Sequence, residues 1–246
     1  MPFGRAAKEL AHFRRVDVSR PTVERLTEAA GEAYVEWQTA EGKRIEKELP
    51  PAPAGPERQF MSVDGAMVPL VGGDGAEVKT LALGEVQPPV MVKGEQMIRT
   101  TNLSYFSRLT DSDTFQRLSL VETHRRGVET ASMVGVVTDG SEWIPEFIDF
   151  HRPDAVRILD FPHAAEHVSK VGQAVFGEGS TQAQGWLKDQ LHALKHTGPV
   201  SVLAEVGALV SARPDLPDLN KELAYLEKRV ALMAYPEFQA AGWPTG

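Results

Sequence analysis

Apolar residues form short unbroken or alternating runs through the middle of the chain and recur at helical spacing on either side of it. Near the start, Ala6, Ala7, Leu10, Ala11 and Phe13 follow an approximate helical period and predict a helix over 4–13. Ser19 is a good N-cap, Pro21 suits a first helical turn, and Thr22 opens a run of helix formers, so a second helix is expected over 20–38. The residues between, 14–18, read as a short turn. A helix, a tight turn and a capped helix have the outline of a helix-turn-helix. Arg20, Thr22 and Arg25 then stand near the start of the second helix, where DNA-groove contacts are made. An ordinary helical hairpin has the same outline.

Residues 49–57 form a proline-rich linker, after which the pattern changes. Residues 59–70 and 77–86 predict strands joined by a hairpin turn at Gly72–Gly75, and Pro88 and Pro89 end the second strand. A third strand is expected over 97–106, a helix over 112–130, a strand over 133–138, a short helix over 142–150, a strand over 156–159 and a helix over 164–176. Three strands followed by alternating helices and strands is the order of an α/β domain with an RNase H-like mixed sheet and flanking helices. From Gln182 onward only helical patterns occur, interrupted at Gly198-Pro199 and Pro214–Pro217, and no internal repeat is visible. The expected organisation is a helical DNA-binding-like segment over 1–48, a linker over 49–58, an α/β core over 59–181 and a helical insertion over 182–246.

A length of 246 residues suits one large α/β domain, or a core with a small appendage. No apolar stretch reaches the ~18 residues of a membrane span, and the first residues lack the apolar core of a signal peptide. The chain has no cysteine, which excludes disulfides and cysteine-based zinc sites and fits a cytoplasmic setting. A net charge of −8 argues against simple coating of nucleic acid. Its distribution is uneven. Residues 1–27 carry six Lys and Arg against three acids, and residues 139–160 carry six acids against two arginines. DNA contact at the start and metal binding in the middle would account for this; so would ordinary surface charge.

Two aspartates carry the most chemistry. Asp64 and Asp139 each close an apolar, strand-like run, and each is followed by glycine, Gly65 and Gly140. On neighbouring strands, two such carboxylates suit Mg²⁺ or Mn²⁺, which take hard oxygen ligands and keep several waters for a phosphate to replace. The glycines allow the backbone to turn and a phosphate to come close. Asp-Gly is also a frequent turn dipeptide, so turn punctuation explains the same letters. Asp160 and His163 follow a third strand-like run, where Asp160 can cap the next helix and His163 can donate to a phosphate or orient a ligand. A helix cap with a surface histidine reads equally well. His163-x-x-Glu166-His167 also matches an inverted zinc-peptidase pattern, with Glu166 as base and a third ligand such as Glu205 or Glu222. That reading leaves Asp64 and Asp139 without a role. His192 and His196 read as surface residues.

Three motifs in order carry a resemblance: Ser62–Pro69, Val137–Trp143 and Ile158–His167. Together they resemble DDE transposases of bacterial insertion sequences, specifically the ISKra-type group. Asp160-x-x-His163 is similar to the C/D-x-x-H signature of Mutator-like and related transposases. The likeness spans most of the chain, including Tyr225–Arg229 and Ala240–Gly246 near its end. It implies cleavage and strand transfer of DNA, with Asp64 and Asp139 as the first two catalytic carboxylates, Mg²⁺ or Mn²⁺ as cofactor, and transposon ends and target DNA as partners. It also implies a homodimer or higher oligomer on DNA. The family's third carboxylate, a glutamate, is expected shortly after a Pro-x-Gly-Ser-Gly segment, whereas this sequence closes on Pro244-Thr-Gly246. The expectation is therefore a truncated copy of low or no activity, with a protein that only occupies transposon ends as the alternative. Glu222 and Glu227 have no support from the resemblance as replacements.

Overall fold

The computed structural model describes residues 3–246 apart from Val71, Gly72, Asp74, Lys93 and Gly94. Among these residues no helix is long and apolar enough to cross a membrane. The chain divides into two compact units, Met1–Pro51 with Arg117–Val121, and Ala52–Gln116 with Glu122–Gly246.

In the first unit, α1 (Phe3–Glu9) runs on into a π-helical turn over Leu10–Arg14. Arg15 then takes a left-handed conformation (φ 53°) that ends the helix. Ser19 caps α2 (Arg20–Glu48), its hydroxyl accepting the Thr22 N–H at 3.3 Å. α2 is 29 residues long and outruns the expected end at 38. Its last turns have few apolar residues to signal them. They consist of good helix formers, and Arg44 pairs with Glu41 at 2.7 Å and with Glu48 at 3.1 Å. Leu49 (φ 45°) and the two prolines after it stop the helix. Its buried positions are Gln38, Gly42 and Ile45, and Gly42 faces Val121 and Arg117.

The second unit is α/β. Its strands are β1 (Arg58–Pro69), β2 (Gly75–Val86), β3 (Val90–Val92), β4 (Glu95–Met97), β5 (Thr100–Leu109), β6 (Met133–Thr138) and β7 (Val156–Leu159). Five of them form one mixed sheet in the order β5-β2-β1-β6-β7. β1 and β2 are antiparallel from Gln59↔Glu85 to Pro69↔Gly75. The turn expected between them falls largely on Val71, Gly72 and Asp74, outside the described residues. β1 pairs with β6, and β6 with β7, in parallel. The third sheet strand starts at Thr100 rather than at 97, because Val90–Val92 and Glu95–Met97 pair with each other as a small separate ribbon. The helix expected over 112–130 is broken at Ser119 into α3 (Ser112–Leu118) and α4 (Leu120–Arg125). Gly127 (φ 64°) then reverses the chain and packs directly on Gly55 of the linker. The linker is tied down there by a 2.8 Å bond from the Gly55 N–H to the Thr130 hydroxyl.

One face of the sheet is covered throughout, and the other at β6 and β7 but not at β5, where Tyr105 is 66% exposed. Met61, Val63, Leu81, Leu83 and Phe106 are buried on one face. Phe115 lies over them, 5.8 Å from the Phe106 ring and 5.6 Å from Phe147 of α5 (Ile144–His151). On the other face Val137 and Ile158 join Ala164, Val168 and Val171 of α6 (Phe161–Phe176). The same core takes in α7 (Thr181–His196), α8 (Pro199–Ala212), α9 (Leu219–Lys228), a 3₁₀ turn over Val230–Met233 and α10 (Tyr235–Ala240). The helices beyond 182 thus extend this core outward from α6. At the chain's end the Trp243 ring crosses β6 over Gly135, where a Cβ would lie 2.4 Å from it.

Candidate functional site: a carboxylate cleft at the sheet edge

The parallel β1–β6 and β6–β7 ladders stop level with one another. β6 and β7 end there, whereas β1 runs on to Pro69, with Asp64 paired to Thr80 and Gly65 to Lys79 of β2, so Gly65 does not turn the chain as the sequence led us to expect. Val63 of β1 is in register with Thr138 of β6, and Thr138 with Leu159 of β7. The residues that follow are Asp64, Asp139 and Asp160. Ser62, Val137 and Ile158 are partners across the same strands, so the three aspartates continue one face of the sheet. The Asp160 N–H extends the ladder by donating to the Thr138 carbonyl at 2.8 Å.

These residues line a cleft of about 370 Å³ with Phe60, Ser62, Thr138, His163, Pro244 and Gly246. Asp64 is exposed, and its Oδ1 accepts the Gly65 N–H at 2.7 Å. Asp139 is half-buried and held in an Asx turn: the Ser141 N–H reaches its Oδ1 at 2.9 Å and the Ser141 hydroxyl its Oδ2 at 2.6 Å. Gly140 takes φ 77°, which lets the chain leave the strand sharply. Asp160 stands at the N-terminus of α6 but makes no side-chain cap. Its Oδ2 instead lies 2.9 Å from Nδ1 of His163, which leaves Nε2 of that imidazole without this partner. Pro162 occupies the first turn of α6, where its missing N–H costs nothing.

The donor set suits a hard divalent cation: two carboxylates on adjacent strands facing an open, wettable cleft are what Mg²⁺ takes from a protein before adding water and phosphate oxygens. Among the described residues no group of three or more His, Asp or Glu converges closely enough to hold a metal ion. The zinc-peptidase pattern is not drawn together. Glu166 pairs with Lys170 at 2.8 Å, and His163 and His167 bind different carboxylates, Asp160 and Glu222. His192 and His196 are exposed on α7, outside the cleft.

Two residues without a role in the sequence reading enter here. The Tyr225 hydroxyl donates to the Asp139 carbonyl, and Arg229 donates to the Gly140 carbonyl from Nε at 3.0 Å and Nη2 at 2.6 Å. Burial holds the Tyr225 phenol above its ordinary range, so it is a neutral donor. In the sequence this pair is marked by its i, i+4 spacing and by bounding the Tyr225–Arg229 segment included in the resemblance, neither of which gives the two residues a role. In the first unit, Arg20 and Arg25 are exposed on the opening turns of α2, while Thr22 is half-buried with its hydroxyl 2.8 Å from that of Ser19.

Comparison with protein-family models and with curated proteins returns no match.

Proposed function

We propose that this cleft is a metal-dependent phosphoryl-transfer site acting on DNA, of the DDE transposase kind. The observation that carries the reading is the parallel register of β1 and β6, which sets Asp64 and Asp139 at one sheet edge. A central β1 flanked by antiparallel β2 and parallel β6 is compatible with an RNase H-like arrangement. Asp64 and Asp139 would hold Mg²⁺ or Mn²⁺. Bound there, the ion would supply Lewis acidity toward a phosphoryl oxygen and a bound water acidic enough to attack near neutral pH. The Asp160–His163 pair would direct Nε2 of His163 toward a phosphate oxygen in the cleft. Among the described residues no third carboxylate joins Asp64 and Asp139 closely enough to hold a metal ion with them, so strand transfer is expected to be weak. Arg20, Thr22 and Arg25 would contact DNA from the first unit, and assembly of two or more copies on DNA belongs to the same proposal.

The test is conversion of supercoiled plasmid to nicked circles by the full chain in Mn²⁺. Slow nicking that disappears in both Asp64→Asn and Asp139→Asn is the expected result. DNA binding with no nicking, or nicking that survives both substitutions, would overturn the catalytic reading; the first outcome favours a protein that only occupies DNA ends.

A further inference from the structure

The loop that follows β6 is gripped from behind by α9, and the grip centres on the residue that the proposed site most needs. Tyr225 donates to the carbonyl of Asp139. Arg229, buried to 7% exposure, takes the next carbonyl along, Gly140, with two donors at 3.0 and 2.6 Å. Its third nitrogen donates to the Tyr225 carbonyl at 3.0 Å, so the two side chains are fixed to one another as well as to the loop. Glu142 completes the attachment, with Arg229 at 3.2 Å on one oxygen and Lys228 on the other. Gly140 is needed twice over. Its φ of 77° disfavours a side chain, and a Cβ there would lie 2.5 Å from Nε of Arg229. Tyr225 is itself held in place. The His167 ring stacks on it at 3.5 Å and 15°, the Arg229 guanidinium lies 3.8 Å from its ring centre, and Nδ1 of His167 is anchored 2.6 Å from Glu222.

From these contacts we infer that Tyr225 and Arg229 are positioning residues, which fix the two successive carbonyls that follow the Asp139 side chain so that its carboxylate is presented to a divalent cation in the cleft. The inference rests on the reading of Asp139 as a metal ligand. Its physical basis is the way Asp139 is held at both ends. Ser141 holds the carboxylate, and α9 holds the two successive carbonyls, which leaves the side chain little freedom to turn out of the cleft. Metal ligands need placement to within about 0.5 Å, and removal of an outer group that orients a ligand typically costs ten- to a hundred-fold in metal affinity.

The experiment is a Mn²⁺ titration of the full chain, followed by electron paramagnetic resonance, with thermal melts on the same samples. Tyr225→Phe keeps the ring stack and removes only the hydroxyl; Arg229→Lys keeps the charge and removes the fork. Each is expected to weaken Mn²⁺ binding by about ten-fold. Ser180→Ala, which removes a helix cap on α7 whose hydroxyl accepts the Ala183 N–H at 3.0 Å, is expected to lower stability and leave Mn²⁺ affinity unchanged. Wild-type affinity in Tyr225→Phe, with Asp139→Asn abolishing binding, would overturn the positioning role and leave the metal site standing. Absence of Mn²⁺ binding by the wild-type chain would overturn the metal site itself. Should Arg229→Lys fail to fold, Tyr225→Phe decides alone.

Discussion

Asp64 and Asp139 each follow one member of a parallel β-pair, Val63 of β1 and Thr138 of β6, so the two aspartates stand side by side where that pairing stops, Asp64 still within β1 and Asp139 just past β6. Two anions on neighbouring strands repel each other, and a divalent cation between them removes that cost. The arrangement therefore predicts stabilisation by metal. Mn²⁺ at about a hundred times its dissociation constant should add about 2.7 kcal/mol to the unfolding free energy. That is a rise of several degrees in the thermal midpoint, read by circular dichroism with and without the ion. Asp64→Asn should lose most of this rise while melting near the wild-type midpoint in metal-free buffer.

His151 predicts a second, acid-dependent signature. It is buried on the far side of α5, where Nε2 donates to the Gln116 carbonyl at 3.0 Å and Nδ1 accepts from Thr123 at 3.2 Å. The bond from Thr123 needs the bare Nδ1 of the neutral ring, whereas the Nε2 bond is made by either form. Burial lowers its pKa from 6.5 to about 4. The folded pKa lies below the unfolded one, so the unfolded chain binds more protons between those values. The contribution is complete above about pH 6.5 and is lost as the pH falls toward 4. Its size is about 3 kcal/mol at the lower end of that window. Urea midpoints measured from pH 7 to pH 4 should fall accordingly. In His151→Asn that fall should shrink, on top of a constant loss of about 1–3 kcal/mol for the disturbed bonds.

Gly135 and Trp243 predict a coupling between the core and the cleft wall. A methyl group at position 135 would meet the indole at 2.4 Å, in a strand whose other neighbours cannot move aside. Gly135→Ala should therefore cost about 1–3 kcal/mol through overpacking. It should also displace Pro244–Gly246, which follow Trp243 along the cleft, and a change in the tryptophan emission spectrum would register the displacement.

For the first unit the prediction concerns salt. If Arg20 and Arg25 contact phosphates, alanine at either position should weaken binding to unrelated DNA sequences to a similar extent. Each substitution should also reduce the slope of log affinity against log salt by about one. Fluorescence anisotropy with two DNA duplexes of different sequence, at several salt concentrations, measures both effects. A loss confined to one sequence would point to base contacts instead.

What the sequence revealed, and what it hid, follows from the range of the interactions. β6 and β7 have the bounds expected for them, 133–138 and 156–159, because short apolar runs bounded by polar residues are a local signal. The Ser19 cap was legible for the same reason: its partner is three residues away. The β3–β4 ribbon was not legible, since strands of three residues are too short to set a period. Nor was the break at Ser119, which interrupts a continuous helical pattern in Phe115, Leu118 and Val121. In the cleft, the apolar runs ending in Asp64, Asp139 and Asp160 could be read one at a time. Their common edge depends on strand register, which no single run specifies. The Tyr225 contact with Asp139 spans 86 residues, and nothing near either residue announces it.

Whether a metal ion binds between Asp64 and Asp139 decides the nature of the cleft. The most direct measurement is anomalous diffraction from crystals of the full chain grown with Mn²⁺. A peak bridged by the Asp64 and Asp139 carboxylates is the predicted result. Peaks only at other carboxylates, or none while both aspartates remain open to solvent, would contradict the proposed site.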